Sequence, residues 1–398
     1  MPRYKTLDQL DVSGKTVLVR ADLNVPMKDG KVSDATRIDR FAPTAVELAK
    51  KGAKVVVLSH FGRPKGRDAS QSLAPLLGDL SKACGMPVAF GEDCIGDAAA
   101  KTVAGLKPGG IAMLENLRFH AAEEKNDPAF AKALAALGDI YVNDAFSCAH
   151  RAHASTEGIA HLLPAYAGRL MQAELDALGK ALENPQRPLA AVVGGSKVST
   201  KLELIGNLLN RVDILAIGGG MANTFLFAKG IDVGRSLCER DLAETARRIM
   251  ADAETAGKQI VLPVDAVVAG ALTDGASAQV VPIGRIPADQ MILDIGPLSV
   301  AETLKIFDHA KTLVWNGPVG AFEFPPFDKG TVELAKGVAA RSQSGKLLSV
   351  AGGGDTVAAL AAAGVEDKLS YVSTAGGAFL EWMEGKTLPG VAALIRAA

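Results

Sequence analysis

At 398 residues the chain exceeds the size at which one hydrophobic core keeps growing, so two domains are expected, each able to bury its own core. A composition of 48% hydrophobic and 22% charged residues with a formal charge of -1 excludes a disordered chain and offers no global attraction to nucleic acid or an acidic membrane, so neither is an expected partner. Cys84, Cys94, Cys148 and Cys238 form no CxxC pair, the N-terminus lacks the apolar core of a signal peptide, and no run of 18 apolar residues follows, which leads us to expect a cytoplasmic, unanchored protein with reduced thiols.

In chain order, short β-branched runs alternate with helix-periodic segments. Strands are expected at Thr16 to Arg20, Lys54 to Ser59, Ile111 to Leu114 and Ile140 to Val142, with helices at Thr36 to Lys51, Leu73 to Cys84 and Pro128 to Leu137. Gly168 to Leu182 reads as one amphipathic helix, with Leu170, Leu175, Leu178 and Leu182 near helical spacing and Asn184-Pro185 stopping it. Such a helix suits a domain connector. Beyond it the rhythm resumes, with strands at Leu189 to Val193, Ile214 to Ile217, Gln259 to Val264, Thr312 to Trp315 and Leu347 to Val350. The pattern predicts an α/β protein with a parallel sheet and helical crossovers in each half.

In the first half, polar and cationic residues fall just past predicted strands or open predicted helices: Arg20, Asp22 and Asn24, then Arg37, His60 with Arg63, Arg118 with His120, and His150, Arg151 and His153. The carboxyl ends of strands in an open parallel sheet share one edge, so these loops should converge on an anion trap. Arginine suits that task because its planar fork binds phosphate or carboxylate oxygens in pairs and keeps its charge. His150 and His153 could be imagined as a metal pair, but no third ligand sits nearby and Arg151 between them repels a cation. Structural or anion-binding histidines are the preferred reading.

The second half supplies glycine loops: Gly194-Gly195 with Lys197 and Lys201, Gly218 to Gly220, Asn316-Gly317-Pro318 with Glu323, and Gly352-Gly353-Gly354-Asp355-Thr356. Glycine lets backbone amides approach a phosphate, and a helix N-terminus adds free donors and a favourable dipole. Asp355 and Thr356 should open a helix running to Ala363. There Asp355 can cap the helix or, beside a nucleotide, hold Mg²⁺. Gly14-Lys15-Thr16 and Gly385-Lys386-Thr387 resemble the tail of a P-loop, but Gln9 and Leu380 stand where its leading glycine belongs, and no GxGxxG is present.

Seven segments then carry a family resemblance: ArgAlaAspLeuAsnValPro (20 to 26), SerHisPheGlyArgPro (59 to 64), GluAsnLeuArgPhe (115 to 119), AsnAspAlaPhe through AlaHisArgAlaHisAlaSer (143 to 155), GlyGlySerLysVal (194 to 198), TrpAsnGlyProValGlyAlaPheGlu (315 to 323) and GlyGlyGlyAspThr (352 to 356). In that order the chain resembles the phosphoglycerate kinase family throughout its length. The resemblance implies two Rossmann-like three-layer domains with parallel sheets joined by a helix. It also implies reversible, Mg²⁺-dependent phosphoryl transfer from 1,3-bisphosphoglycerate to ADP, giving 3-phosphoglycerate and ATP, in glycolysis and gluconeogenesis.

Residues 1–167 would then form the acid-binding domain, 168–184 the connecting helix and 185–385 the nucleotide domain, with 386–398 returning to the first. The acid positions implied are Asp22, Asn24, Arg37, His60, Arg63, Arg118 and Arg151. The nucleotide positions implied are Gly195, Lys197, Lys201, Gly219, Gly296, Asn316, Glu323, Gly353, Gly354, Asp355 and Thr356, with Asp355 towards the metal and Glu323 towards the ribose. Two departures, Ala375 for a third glycine and Ser147-Cys148 for Gly-Thr, are expected to tune flexibility or packing without abolishing activity. A monomer is the family's usual state.

The chemistry implied needs no general base, since neither a nucleotide phosphate nor a carboxylate carries a proton at neutral pH. Catalysis reduces to in-line positioning and neutralisation of the moving group, a task assigned to Arg37, Lys197 and the Gly354 amide, with His60 as an acid ligand. Division of the binding groups between domains implies closure about the helix at 168 to 182. A non-catalytic nucleotide-binding protein and a kinase for another small acid, both on the same architecture, remain the alternatives.

Overall fold

The computed structural model describes residues 4–396, and the chain divides into two compact units. The first runs through Leu175 and resumes at Thr387; the second is Asp176–Lys386. Both are parallel α/β layers, built from strands whose unbroken apolar runs suit sheets covered on both faces.

In the first unit the strands are β1 (Thr16–Arg20), β2 (Met27–Lys28), β3 (Lys31–Val32), β4 (Lys54–Leu58), β5 (Val88–Gly91), β6 (Ile111–Leu114), β7 (Ile140–Asn143) and β8 (Ala165–Ala167). Six of them form one parallel sheet in the order β5-β6-β4-β1-β7-β8, while β2 and β3 make a small hairpin. At its centre β1 pairs with β4 in the register Val17↔Val55 and with β7 through Val17↔Ile140. The core gathers Val17, Val19, Val55 and Val57 against Ile38, Phe41, Ala45 and Leu48 of the helix Thr36–Lys50. Truncating Phe41, which is 1% exposed, to alanine would cost about 3–5 kcal/mol. The helix Pro389–Arg396 also belongs to this unit, where the Gly390 amide donates to the Ala149 carbonyl at 2.9 Å.

In the second unit the strands are β9 (Leu189–Val193), β10 (Ile214–Ile217), β11 (Gln259–Val261), β12 (Asp265–Ala269), β13 (Gln279–Pro282), β14 (Met291–Ile295), β15 (Thr312–Asn316), β16 (Leu348–Gly352) and β17 (Tyr371–Ser373). Six are parallel in the order β11-β10-β9-β15-β16-β17, and β13-β12-β14 form a separate antiparallel sheet. Trp315, 1% exposed, anchors the core with Leu313, Leu334 and Val338. Its indole Nε1 donates to the Gly317 carbonyl at 2.7 Å, tying the core to the loop that follows.

Several sequence expectations are corrected. The strand expected over 259–264 stops at Val261, since Pro263 has no N–H for a ladder, and the chain enters the antiparallel sheet at Asp265. The helix expected from Leu73 starts at Leu77, because Pro75 occupies a 3₁₀ turn, Ala74–Leu76. The helix expected over 168–182 is α-helical for Arg169–Leu178 and continues as a π-helical turn, Gly179–Glu183. The division between units falls within it, after Leu175. Its start is fixed by Asp144, whose Oδ1 accepts the Leu170 amide at 2.8 Å. Ala375 has φ -97°, so no glycine is required there.

Candidate active site

Along the β1, β4 and β7 edge of the first unit, the chain collects its cations. Arg20 ends β1 almost fully buried, and every part of its guanidinium is engaged: Nε donates to Ser155 Oγ at 2.8 Å, one terminal nitrogen to the Ala21 carbonyl, and the other to His60 Nδ1 at 3.1 Å. Ser155 Oγ in turn donates to buried Glu123 at 2.5 Å. An arginine has no acceptor, so His60 Nδ1 must be the unprotonated nitrogen and Nε2 carries the hydrogen. Burial and then Arg20, with Arg118 and Arg151, hold His60 well below the usual imidazole range, against the pull of Asp22. His60 is therefore a neutral donor at neutral pH, not a proton shuttle.

Asp22 lies beside it and stays ionised: burial alone would push its carboxyl up, but Arg37, the Ser147 hydroxyl and Arg20 together hold it down. Arg37 Nη1 donates to Asp22 Oδ2 at 2.6 Å and to the Asn24 carbonyl at 3.2 Å. Asn24 Oδ1 accepts the Gly62 amide at 3.0 Å, and Arg118 Nη1 donates to the Gly62 carbonyl at 2.7 Å while its Nε faces Glu124 at 3.1 Å. Gly62, in the loop after β4, thus joins two of the expected acid positions, Asn24 and Arg118. His153 is lowered to about 4 by burial, then by Arg118, Arg20 and Arg151. Arg151 and Arg63 have no carboxylate partner among the described residues; Arg63 is exposed and only its amide is tied, to Gln71 Oε1 at 2.8 Å. Asp22, His60 and Cys148 place three ligand atoms within 4.8 Å of one another, but the Arg20 guanidinium on His60 Nδ1 opposes a cation there.

The second unit builds its site at the carboxyl ends of the four neighbouring strands β10, β9, β15 and β16. Lys201 Nζ ties them, donating to the Gly194 carbonyl at 2.7 Å and to Asn316 Oδ1 at 2.6 Å. Asn316 Nδ2 passes to the Gly352 carbonyl at 2.9 Å, and Thr356 Oγ1 accepts the Gly317 amide at 2.7 Å. Close backbone approach explains the glycines: Gly219 has φ +66° and a Cβ there would stand 2.7 Å from the Gly195 carbonyl oxygen, while Gly353 has φ +101° and a Cβ there would stand 2.6 Å from Asn316 Nδ2. Gly219 and Gly354 each begin a helix, Gly219–Ala228 and Gly354–Ala362; the Gly219 and Met221 amides already donate to the Val319 and Gly195 carbonyls, at 2.9 and 3.0 Å, so it is the Gly354 helix whose first-turn amides face outward for a ligand. Burial lowers Lys201 to about 8, opposed by Asp355 and Glu384. Two of its three donors are used within the protein, and one is left for a ligand.

Not every expected position joins this cradle. Gly296 caps the helix Pro297–Phe307, but Asp265 already takes its first amides, Leu298 N at 3.0 Å and Ser299 N at 2.8 Å, and a Cβ at Gly296 would collide with that carboxylate. It serves the helix. Glu323 and Lys197 are exposed, the latter within electrostatic reach of Glu239. Asp355 is exposed in the first turn of its helix. Its carboxylate beside free amides suits Mg²⁺ shared with phosphate oxygens. Sequence reasoning missed Glu123 and Ser155, which orient Arg20, and Glu384 near Lys201. Ser155 lay within a segment already singled out, whereas Glu384 carried no local signal.

Known proteins fit this picture. The sequence model of the family described as phosphoglycerate kinase matches residues 7–386. The phosphoglycerate kinases of Azorhizobium caulinodans and Rhodospirillum centenum are each 63% identical to this chain, the first over 100% of both chains and the second over 98% of this one and 99% of its own. Among solved structures, phosphoglycerate kinase from Coxiella burnetii is 43% identical with a TM-score of 0.92, and that from Pyrococcus horikoshii OT3 is 33% identical with a TM-score of 0.82, each covering 99% of both chains. The chain belongs to the phosphoglycerate kinase family.

Proposed function

We propose that the first unit holds the phosphoglycerate and the second the magnesium nucleotide, for reversible transfer of a phosphoryl group from 1,3-bisphosphoglycerate to ADP. The observation that carries the assignment is the set of guanidinium groups, Arg20, Arg118 and Arg151, acting on a histidine that stays neutral. A pocket with surplus positive charge and a neutral N–H donor at His60 suits an acid bearing a phosphate. Arg118, Arg151 and Arg63 bind its phosphate, and Asp22 and Asn24 its polar carbon end.

In the cradle, Lys201 and the amides of Gly353, Gly354 and Thr356 take the nucleotide phosphates, Gly195, Gly219 and Asn316 shape the floor, and Glu323 takes the ribose. Asp355 would hold Mg²⁺, which when bound neutralises phosphate charge. Arg37, Lys197 and the Gly354 amide neutralise the equatorial oxygens of the moving group. Nothing must be deprotonated. We further propose a cytoplasmic monomer, consistent with four unpaired cysteines and with no described helix long and apolar enough to cross a membrane.

Separate calorimetric titrations test the division. Arg118→Met should lose affinity for 3-phosphoglycerate and keep it for Mg-ADP, and Asp355→Ala should do the reverse. Equal losses of both ligands in either variant would refute it.

A further inference from the structure

Ser147 contributes a hydroxyl that the assignment above does not use. It lies in the short turn Phe146–Cys148 after β7, and its Oγ donates to Asp22 Oδ2 at 2.5 Å. Arg37 Nη1 donates to the same oxygen at 2.6 Å. Asp22 Oδ1 accepts the Asn24 amide at 3.2 Å. A carboxylate oxygen has two lone-pair sites, so Oδ2 is filled and Oδ1 keeps one open.

We infer that Ser147 is a positioning residue for the acid substrate: by occupying Oδ2 beside Arg37 it fixes the plane of the Asp22 carboxylate and leaves one lone pair of Oδ1 for a hydrogen-bond donor on the substrate. The inference rests on Asp22 being part of the acid site. Without the hydroxyl, Oδ2 has a vacant lone pair and Asp22 can turn about its side-chain torsions to share both oxygens with Arg37. That rotation draws off the oxygen meant for the acid and ties Arg37 to the carboxylate instead. Ser147 is thus more than filler in a turn where the family resemblance places glycine. The other charged or titratable groups facing Asp22 are Arg37, His60, Arg20 and the Cys148 thiol. Of the two guanidinium groups, Arg20 is fully engaged elsewhere and Arg37 already bonds this oxygen, so neither supplies the lost donor.

The test compares Ser147→Ala, Ser147→Thr and Asp22→Asn by steady-state kinetics with 3-phosphoglycerate and Mg-ATP, together with Tm. A hydrogen bond to a charged group predicts that Ser147→Ala raises the KM for 3-phosphoglycerate about tenfold. The KM for Mg-ATP should stay at the parent value, and any fall in Tm should be reversed by Ser147→Thr. The acid limb of kcat/KM for the acid should move to higher pH, since the hydroxyl favours ionised Asp22, and Ser147→Thr should restore both readouts. Parent KM and pH limb in Ser147→Ala, while Asp22→Asn impairs use of the acid, would overturn the role of Ser147 alone. A raised KM that threonine does not restore, with a lowered Tm, would also overturn it in favour of packing. Asp22→Asn with an unchanged KM for the acid would remove the acid assignment itself, and this inference with it.

Discussion

Nucleotide binding should take up a proton near pH 8, through Lys201. In the free protein its ammonium is lowered to about 8 by burial, with two donors held by Gly194 and Asn316 and only Asp355 and Glu384 opposing the shift. A nucleotide phosphate at the third donor favours the charged amine and raises its pKa. The phosphate is itself fully ionised above neutrality, having its second pKa near 6. If only the cationic lysine binds, the apparent Kd for Mg-ADP scales as one plus the ratio of neutral to charged amine. It should rise about tenfold between pH 7 and pH 9. Calorimetry at pH 8 in buffers of different ionisation enthalpy should report about half a proton taken up per nucleotide. Lys201→Met should bind more weakly and lose both signatures. A pH-independent Kd with no proton uptake in the parent protein would refute the reasoning.

Three further outcomes follow from the same geometry. Arg37→Ala should lower kcat by roughly a hundredfold, the scale for losing one transition-state donor, while changing the Kd for Mg-ADP little; unchanged turnover in steady-state kinetics would remove Arg37 from its role. Gly353→Ala must hold alanine at φ +101° with its Cβ against Asn316, a strain of about 1–3 kcal/mol, so it should lower Tm by several degrees and weaken Mg-ADP binding, and parent values of both would contradict the cradle. Asp294 accepts the Ile295 amide at 2.9 Å and the Gly330 amide at 2.6 Å, yet burial raises it to about 8, so the folded state holds a proton that the unfolded chain releases near pH 4. Stability from this group is therefore lost as pH rises from about 4 to about 8, and thermal scans should show Asp294→Asn gaining on the parent protein across that window; a constant difference in Tm would count against the shift.

The parallel halves were legible because their central strands are unbroken apolar runs, such as Val55–Leu58 and Leu189–Val193, the second bounded by Pro188 and Gly194. The edge strands β5, β8 and β17 were not, being only three or four residues long and held by pairing rather than by composition. The antiparallel sheet β13-β12-β14 escaped for a different reason. The strand expected there ended at Val264, one residue before β12 begins at Asp265, so none of the three antiparallel strands was anticipated. For the site, polar residues at strand ends were readable because the sheet brings them to one edge. What each does was not. Asp22, Arg37 and Ser147 are separated by long stretches of sequence and meet only in the fold. Gly296 was expected only through the family resemblance, and no local pattern signalled that Asp265 takes the amides beyond it.

The most direct test of the division of labour is diffraction from crystals grown with 3-phosphoglycerate, Mg²⁺ and a non-hydrolysable ATP analogue. The acid should lie against Asp22 and Arg37 with its phosphate on Arg118 and Arg151, and the nucleotide phosphates should meet Lys201 Nζ and the amides of Gly353 to Thr356. Both ligands held within one unit, or an acid phosphate bound away from those arginines, would contradict it.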